Sequence, residues 1–135
     1  MEAMGKQQIL ASTGAVGDIA VASTGTIYSQ GVKIKYGHAF CLSIRAKSST
    51  GTPDIDLYHE QTHVEGAAEG SAGDETSGWA APEGASKLLD ITNESWHHLT
   101  ISPLVLPFLR LKLVGQGSNP ADCTVEAHLT QLEIL

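Results

Sequence analysis

Residues 108–113 read Phe108-Leu-Arg-Leu-Lys-Leu113. Leu109, Leu111 and Leu113 alternate with Arg110 and Lys112 at a period of two. Successive side chains of an extended chain point to opposite faces. The stretch therefore predicts a strand with its leucines in a core and its bases in water. The same period recurs outward from it. Val32, Ile34 and Tyr36 alternate with Lys33 and Lys35. Phe40, Leu42, Ile44 and Ala46 alternate with Cys41, Ser43, Arg45 and Lys47. Val125, Ala127 and Leu129 alternate with Glu126, His128 and Thr130. The apolar phase then shifts to Leu132 and Ile134, which predicts a bulge near Thr130–Gln131. Weaker strands are expected at Gln8–Ala11, Asp18–Ala22, Asp54–Val64 and Trp96–Ser102.

No long window carries the 3.6 period of an amphipathic helix. Ser48–Pro53 and Gly115–Pro120 are rich in turn residues and join strong runs, so antiparallel pairing is expected. About eight strands in 135 residues predict an all-β, antiparallel two-sheet sandwich, jelly-roll-like in form. Residues 1–8 read as a flexible N-terminal arm and 9–135 as one domain. Residues 65–78 hold Gly66, Gly70, Gly73 and Gly78 among acids and small residues, and predict a long exposed loop.

The net charge is −7, unevenly placed. Ten carboxylates against Lys87 give residues 54–94 a charge of −9; the remaining seven bases and five acids give +2. Such a segment reads first as a solvated surface, and second as a means of repelling acidic neighbours or attracting a basic partner. The balance speaks against phosphate-driven nucleic-acid binding and against docking on an anionic membrane. No transmembrane run is present and no signal peptide is expected.

His59-Glu-Gln-Thr-His63 is a literal H-E-x-x-H. That motif binds zinc when both histidines sit on one helix face and the glutamate polarises a water. Here Pro53-Asp-Ile-Asp-Leu-Tyr58 leads into it with strand alternation. On a strand the two histidines stand about 13 Å apart, too far to share a zinc with ligands about 2.1 Å away. No metal or other cofactor is therefore expected, and the histidines read as surface residues. Trp96-His97-His98 places its two histidines on opposite faces. No G-x-S-x-G elbow or phosphate-binding glycine loop occurs, and Cys41 and Cys123 read as strand thiols rather than nucleophiles. Asp54 and Asp56 share a face but lack a calcium loop around them. No catalytic residue is assigned.

One resemblance bears on function. Phe108-Leu-Arg-Leu-Lys-Leu113 is followed by a glycine turn, by Asn119-Pro-Ala-Asp122 and by Thr124-Val-Glu-Ala-His-Leu129. Upstream stand Gly51-Thr-Pro-Asp-Ile-Asp-Leu57 and Trp96-His-His-Leu-Thr-Ile-Ser-Pro103. This pattern, over residues 31–135, resembles small structural proteins of tailed bacteriophages; the acidic insertion at 65–78 departs from it. The resemblance implies a non-enzymatic virion component, made in the host cytoplasm, that decorates or stabilises the capsid. Its implied partners are capsid protein and copies of itself, as an oligomer such as a trimer. Lys33, Lys35, Arg45, Lys47, Arg110 and Lys112, on the polar strand faces, are the candidate protein-contact residues. The alternative is a carbohydrate-binding module or lectin-like sandwich, with Trp79 and Trp96 as the stacking residues.

Overall fold

The computed structural model describes residues 4–8, 11–12, 15–16, 19–29, 31–34, 38–64 and 78–133, with side chains over 20–29, 31–34, 41–64 and 78–131. It is all-β. The strands are β1 (Met4–Gln8), β2 (Ala11–Ser12), β3 (Ala15–Val16), β4 (Ile19–Ala20), β5 (Thr26–Tyr28) and β6 (Val32–Lys33). They continue as β7 (His38–Lys47), β8 (Ile55–Thr62), β9 (Leu89–Ile91), β10 (His97–Leu99), β11 (Phe108–Gly115) and β12 (Thr124–Glu133). The first sheet runs β1-β12-β7-β10, with β4 beside β12. The second runs β5-β11-β8-β9, with β6 beside β11. Every pairing is antiparallel, and β2 and β3 pair apart from both sheets.

The alternation read from sequence places the core. Leu42, Ile44, Ala46, Val125, Ala127 and Leu129 of the first sheet are buried in one cluster with Ile55, Leu57, Leu109, Leu111 and Leu113 of the second. Side chains of one parity from each strand thus meet in one sandwich core. Burying each of these leucines and isoleucines contributes about 1.5–3 kcal/mol before chain entropy is counted.

Three expectations are corrected. Of the expected arm at residues 1–8, the described part is not free: Met4–Gln8 pair with Leu132–His128. No bulge interrupts β12, whose register with β7 is unbroken from Thr124↔Lys47 to Glu133↔His38. Pairing along both edges of β12 leaves no place for an extra residue. The strong turns also do not make hairpins. Residues 48–54 carry the chain from the first sheet to the second, and 116–123 carry it back, so β7 pairs with β12 and β11 with β8.

That crossing end is held by side-chain bonds, buried at Asn119 and exposed at Asp122. Asn119, 2% exposed, donates to the Val21 carbonyl and accepts the Asp54 N–H. Asp122 accepts from the hydroxyls of Ser48, Ser49 and Thr50 and from the Ser49 N–H. These donors hold the Asp122 carboxyl below the usual carboxylate range. Gly115 lies against residues 22–23 so closely that an added Cβ would stand 2.1 Å from the Ala22 carbonyl oxygen. Gly117 turns the chain at φ +77°, a conformation that favours glycine.

Candidate functional site

The outer face of the first sheet carries a band of polar and aromatic side chains. Ser43 and Arg45 of β7 point away from the core, as do Glu126, His128 and Thr130 of β12. Register aligns them. Ser43 lies between His98 and His128, and Arg45 lies opposite Glu126. Ser43 Oγ is 2.7 Å from His98 Nδ1, and His128 Nε2 is 2.8 Å from Glu126 Oε2. Arg45 Nη2 stands 3.5 Å from Glu126 Oε1. Its guanidinium carbon is 4.8 Å from the centre of the Trp96 ring, a cation–π contact. Trp96 stacks with His98 at 6.3 Å and tilts toward His128 at 6.1 Å. The hydrogen bond to His128 holds the Glu126 carboxyl below its ordinary value; the charges of His128, Arg45 and Lys47 add to this, and burial opposes it.

Ser43, Trp96, His98, Glu126, His128 and Thr130 line an open groove of about 440 Å³. A second groove of about 460 Å³, lined by Arg45, Lys47, Ser48, Ser49, Glu94, Asp122 and Thr124, continues the same strip toward the crossing end. The Ser43–His98 contact is no catalytic triad, because the carboxylate of the band is bonded to the other histidine. No group of three or more metal-ligating side chains forms among the described residues. The band offers hydrogen-bonding groups and an exposed aromatic surface.

The predicted contact bases do not form one face. Arg45 and Lys47 lie on the outer side of the first sheet. Lys33 is exposed on β6 of the second sheet, and Lys35 lies outside the described residues. Lys112 is half-buried, its ammonium 5.6 Å from the centre of the Tyr58 ring. Arg110 is corrected outright: it is 0% exposed. Its Nε and Nη2 donate to Glu60 Oε1 at 2.9 and 2.6 Å. Its guanidinium carbon lies 4.0 Å from the Tyr28 ring centre and 4.8 Å from that of Trp79. The outer side of the second sheet is roofed there, because residue 80 pairs with Gln61 and brings Trp79 over β8 and β11.

Trp79 is therefore corrected as a stacking residue, being 1% exposed. Trp96 is 39% exposed and on the other sheet, so the two indoles make no common platform. The H-E-x-x-H residues diverge as strand geometry requires. His59 is 1% exposed on the core side, Glu60 faces Arg110, and His63 is exposed beyond β8. The reading of both histidines as surface residues fails for His59. Burial pushes the His59 ring below its ordinary value of 6.5, with the Ser102 backbone opposing. Cys41 and Cys123 are free thiols, and Cys123 is buried.

Beside His59, Gln61 builds a second feature. Gln61 Nε2 donates to the Pro103 carbonyl, and Oε1 accepts the N–H groups of Val105 and Leu106. The Gln61 side chain, 1% exposed, thus fixes the loop Pro103-Leu-Val-Leu-Pro107 from beneath. Leu104 and Leu106 are half-buried, while Val105 projects with 64% of its surface exposed. The Pro107 carbonyl accepts from the Ile34 N–H, which places the loop next to Lys33.

Comparison with family models, curated proteins and solved structures finds no match for this chain. The residues that carry the phage resemblance have structural roles. Residues 108–113 are the central strand of the second sheet, Asn119 and Asp122 tie the crossing end, and 124–129 pair with β7. Sequence reading singled out Arg45 and Trp96 of the outer band but missed Ser43, His98, Glu126 and His128 as partners. Alternation put Ser43, Glu126 and His128 on polar faces, yet only the cross-strand register brings them together.

Proposed function

We propose that this chain is a non-enzymatic structural component of a bacteriophage particle, attached to the shell by protein–protein contacts as a homo-oligomer. The observation that carries the reading is the apolar loop Pro103–Pro107, whose exposed Val105 is presented by a rigid, buried Gln61 clamp. A preformed apolar point beside exposed Lys33 suits a protein partner, because its ordering cost is met within the fold before contact. The resemblance of residues 31–135 to phage structural proteins supplies the partner: capsid protein.

Strand order supports the same reading at the level of fold. Counted along the chain, the eight strands of the two sheet paths fall 1-8-3-6 and 2-7-4-5. That arrangement supports a jelly roll, an architecture found in viral capsid and lectin domains. The fold argument is one of analogy. Short edge strands such as β9 and β10 leave the sheets room to meet further copies.

Val105→Asp places a charge at the proposed contact without touching the core. It is expected to weaken binding of the purified chain to particles lacking it by about tenfold or more, with unfolding unchanged. Undiminished binding would remove the loop from the interface. Light scattering is expected to give a closed oligomer; a monomer at micromolar concentration would count against self-assembly.

A further inference from the structure

We infer that the outer face of the first sheet is a binding site for a neutral oligosaccharide, with Trp96 as the stacking surface and Glu126, His98 and Ser43 as hydroxyl partners. The inference stands apart from particle attachment, which uses the far end of the second sheet's β8 and the loop after β10.

Sugar rings present an apolar C–H face and a rim of hydroxyls. A site for them needs an exposed aromatic ring and convergent polar side chains in a shallow, open groove. The band supplies each part. Trp96 is 39% exposed, the only exposed large aromatic ring among the described residues. Its plane is fixed by His98 at 6.3 Å and by the Arg45 guanidinium at 4.8 Å. The ring thus enters binding already ordered, which lowers the entropic cost. The groove of about 440 Å³ lies within the range of small-ligand sites, and the second groove extends it along the strands. A chain of sugars fits that strip better than a single compact ligand.

Charge selects the class. Glu126 is matched by Arg45 at 3.5 Å and by His128 at 2.8 Å, so the guanidinium of the band already faces a carboxylate, which disfavours an acidic sugar. Glu126 Oε2 takes one hydrogen bond, and Oε1 only faces Arg45 at 3.5 Å, so the carboxylate keeps acceptor capacity for sugar hydroxyls. Ser43 and Thr130 hydroxyls add groups that both donate and accept. Glu126 is held by His128 and His98 by Ser43, and they present this pattern without rearrangement.

The test is a glycan array of neutral and acidic oligosaccharides, followed by fluorescence titration of each hit with the full chain. Trp79 is buried and Trp96 exposed, so a ligand on the band moves the emission of one indole only. Neutral oligosaccharides are expected to bind and to shift Trp96 emission to the blue. Trp96→Ala is expected to reduce affinity about tenfold or more, Trp96→Phe by less, and Glu126→Gln to weaken it with folding intact. Lys33→Ala, on the other sheet, is expected to leave it unchanged. A blank array, hits confined to acidic glycans, or neutral-glycan binding that survives both Trp96 changes would overturn the inference.

Discussion

Arg110 holds a full charge with none of its surface exposed, clamped between two aromatic rings and bonded to Glu60. Removing one member of a buried pair strands the other charge, at a cost of about 3–5 kcal/mol. Arg110→Met is therefore expected to lower unfolding free energy by about that amount. Adding Glu60→Leu is expected to restore most of it, as read in a urea double-mutant cycle. Additive losses would show that the pair is not coupled. His59 makes the second residue-scale prediction. Its folded value lies below the ordinary 6.5, so the unfolded chain binds more protons than the native one and stability rises with pH. The contribution is complete above 6.5 and is lost as pH falls through the depressed folded value. His59→Gln should flatten that part of the stability–pH curve; an unchanged curve would assign the dependence elsewhere. Both residues sit in a strand legible from sequence, but their surroundings are not. Alternation assigned Arg110 to water because the roof over it, Trp79, arrives from 31 positions earlier through one bridge to Gln61.

At the scale of elements, pattern and pairing separate cleanly. The alternations at Leu109–Leu113, Leu42–Ala46 and Val125–Leu129 gave the strands and their buried faces correctly, because a period of two follows directly from extended backbone. Their partners did not follow. Turn chemistry at Ser48–Pro53 reads the same whether the chain folds back as a hairpin or crosses to another sheet, and here it crosses. The loop Pro103–Pro107 was likewise unmarked, since a buried glutamine acting as a backbone surrogate has no local signature. Gln61→Leu removes one donor and one shared acceptor from that loop. It is expected to cost on the order of 1–3 kcal/mol and to speed hydrogen exchange at the Val105 and Leu106 amides. Exchange as slow as in the parent chain would mean that the loop is held by packing alone.

At the scale of the whole molecule, the −9 segment of residues 54–94 contains β8 and β9, one flank of the second sheet. Its described residues are not uniformly solvated. Glu60 is buried on Arg110, Asp54 bonds Ser118, and Lys87 bridges Asp56 and Asp90. The first sheet instead presents a charge-matched band around Trp96, and the apolar Val105 loop follows β10 on the way to β11. No helix among the described residues is long and apolar enough to cross a membrane.

The most direct test of the particle reading is quantitative mass spectrometry across a density gradient of particles made in a host that expresses this chain. The chain is expected to peak with intact particles, at a fixed ratio to the major shell protein. A chain confined to the soluble fractions would contradict it.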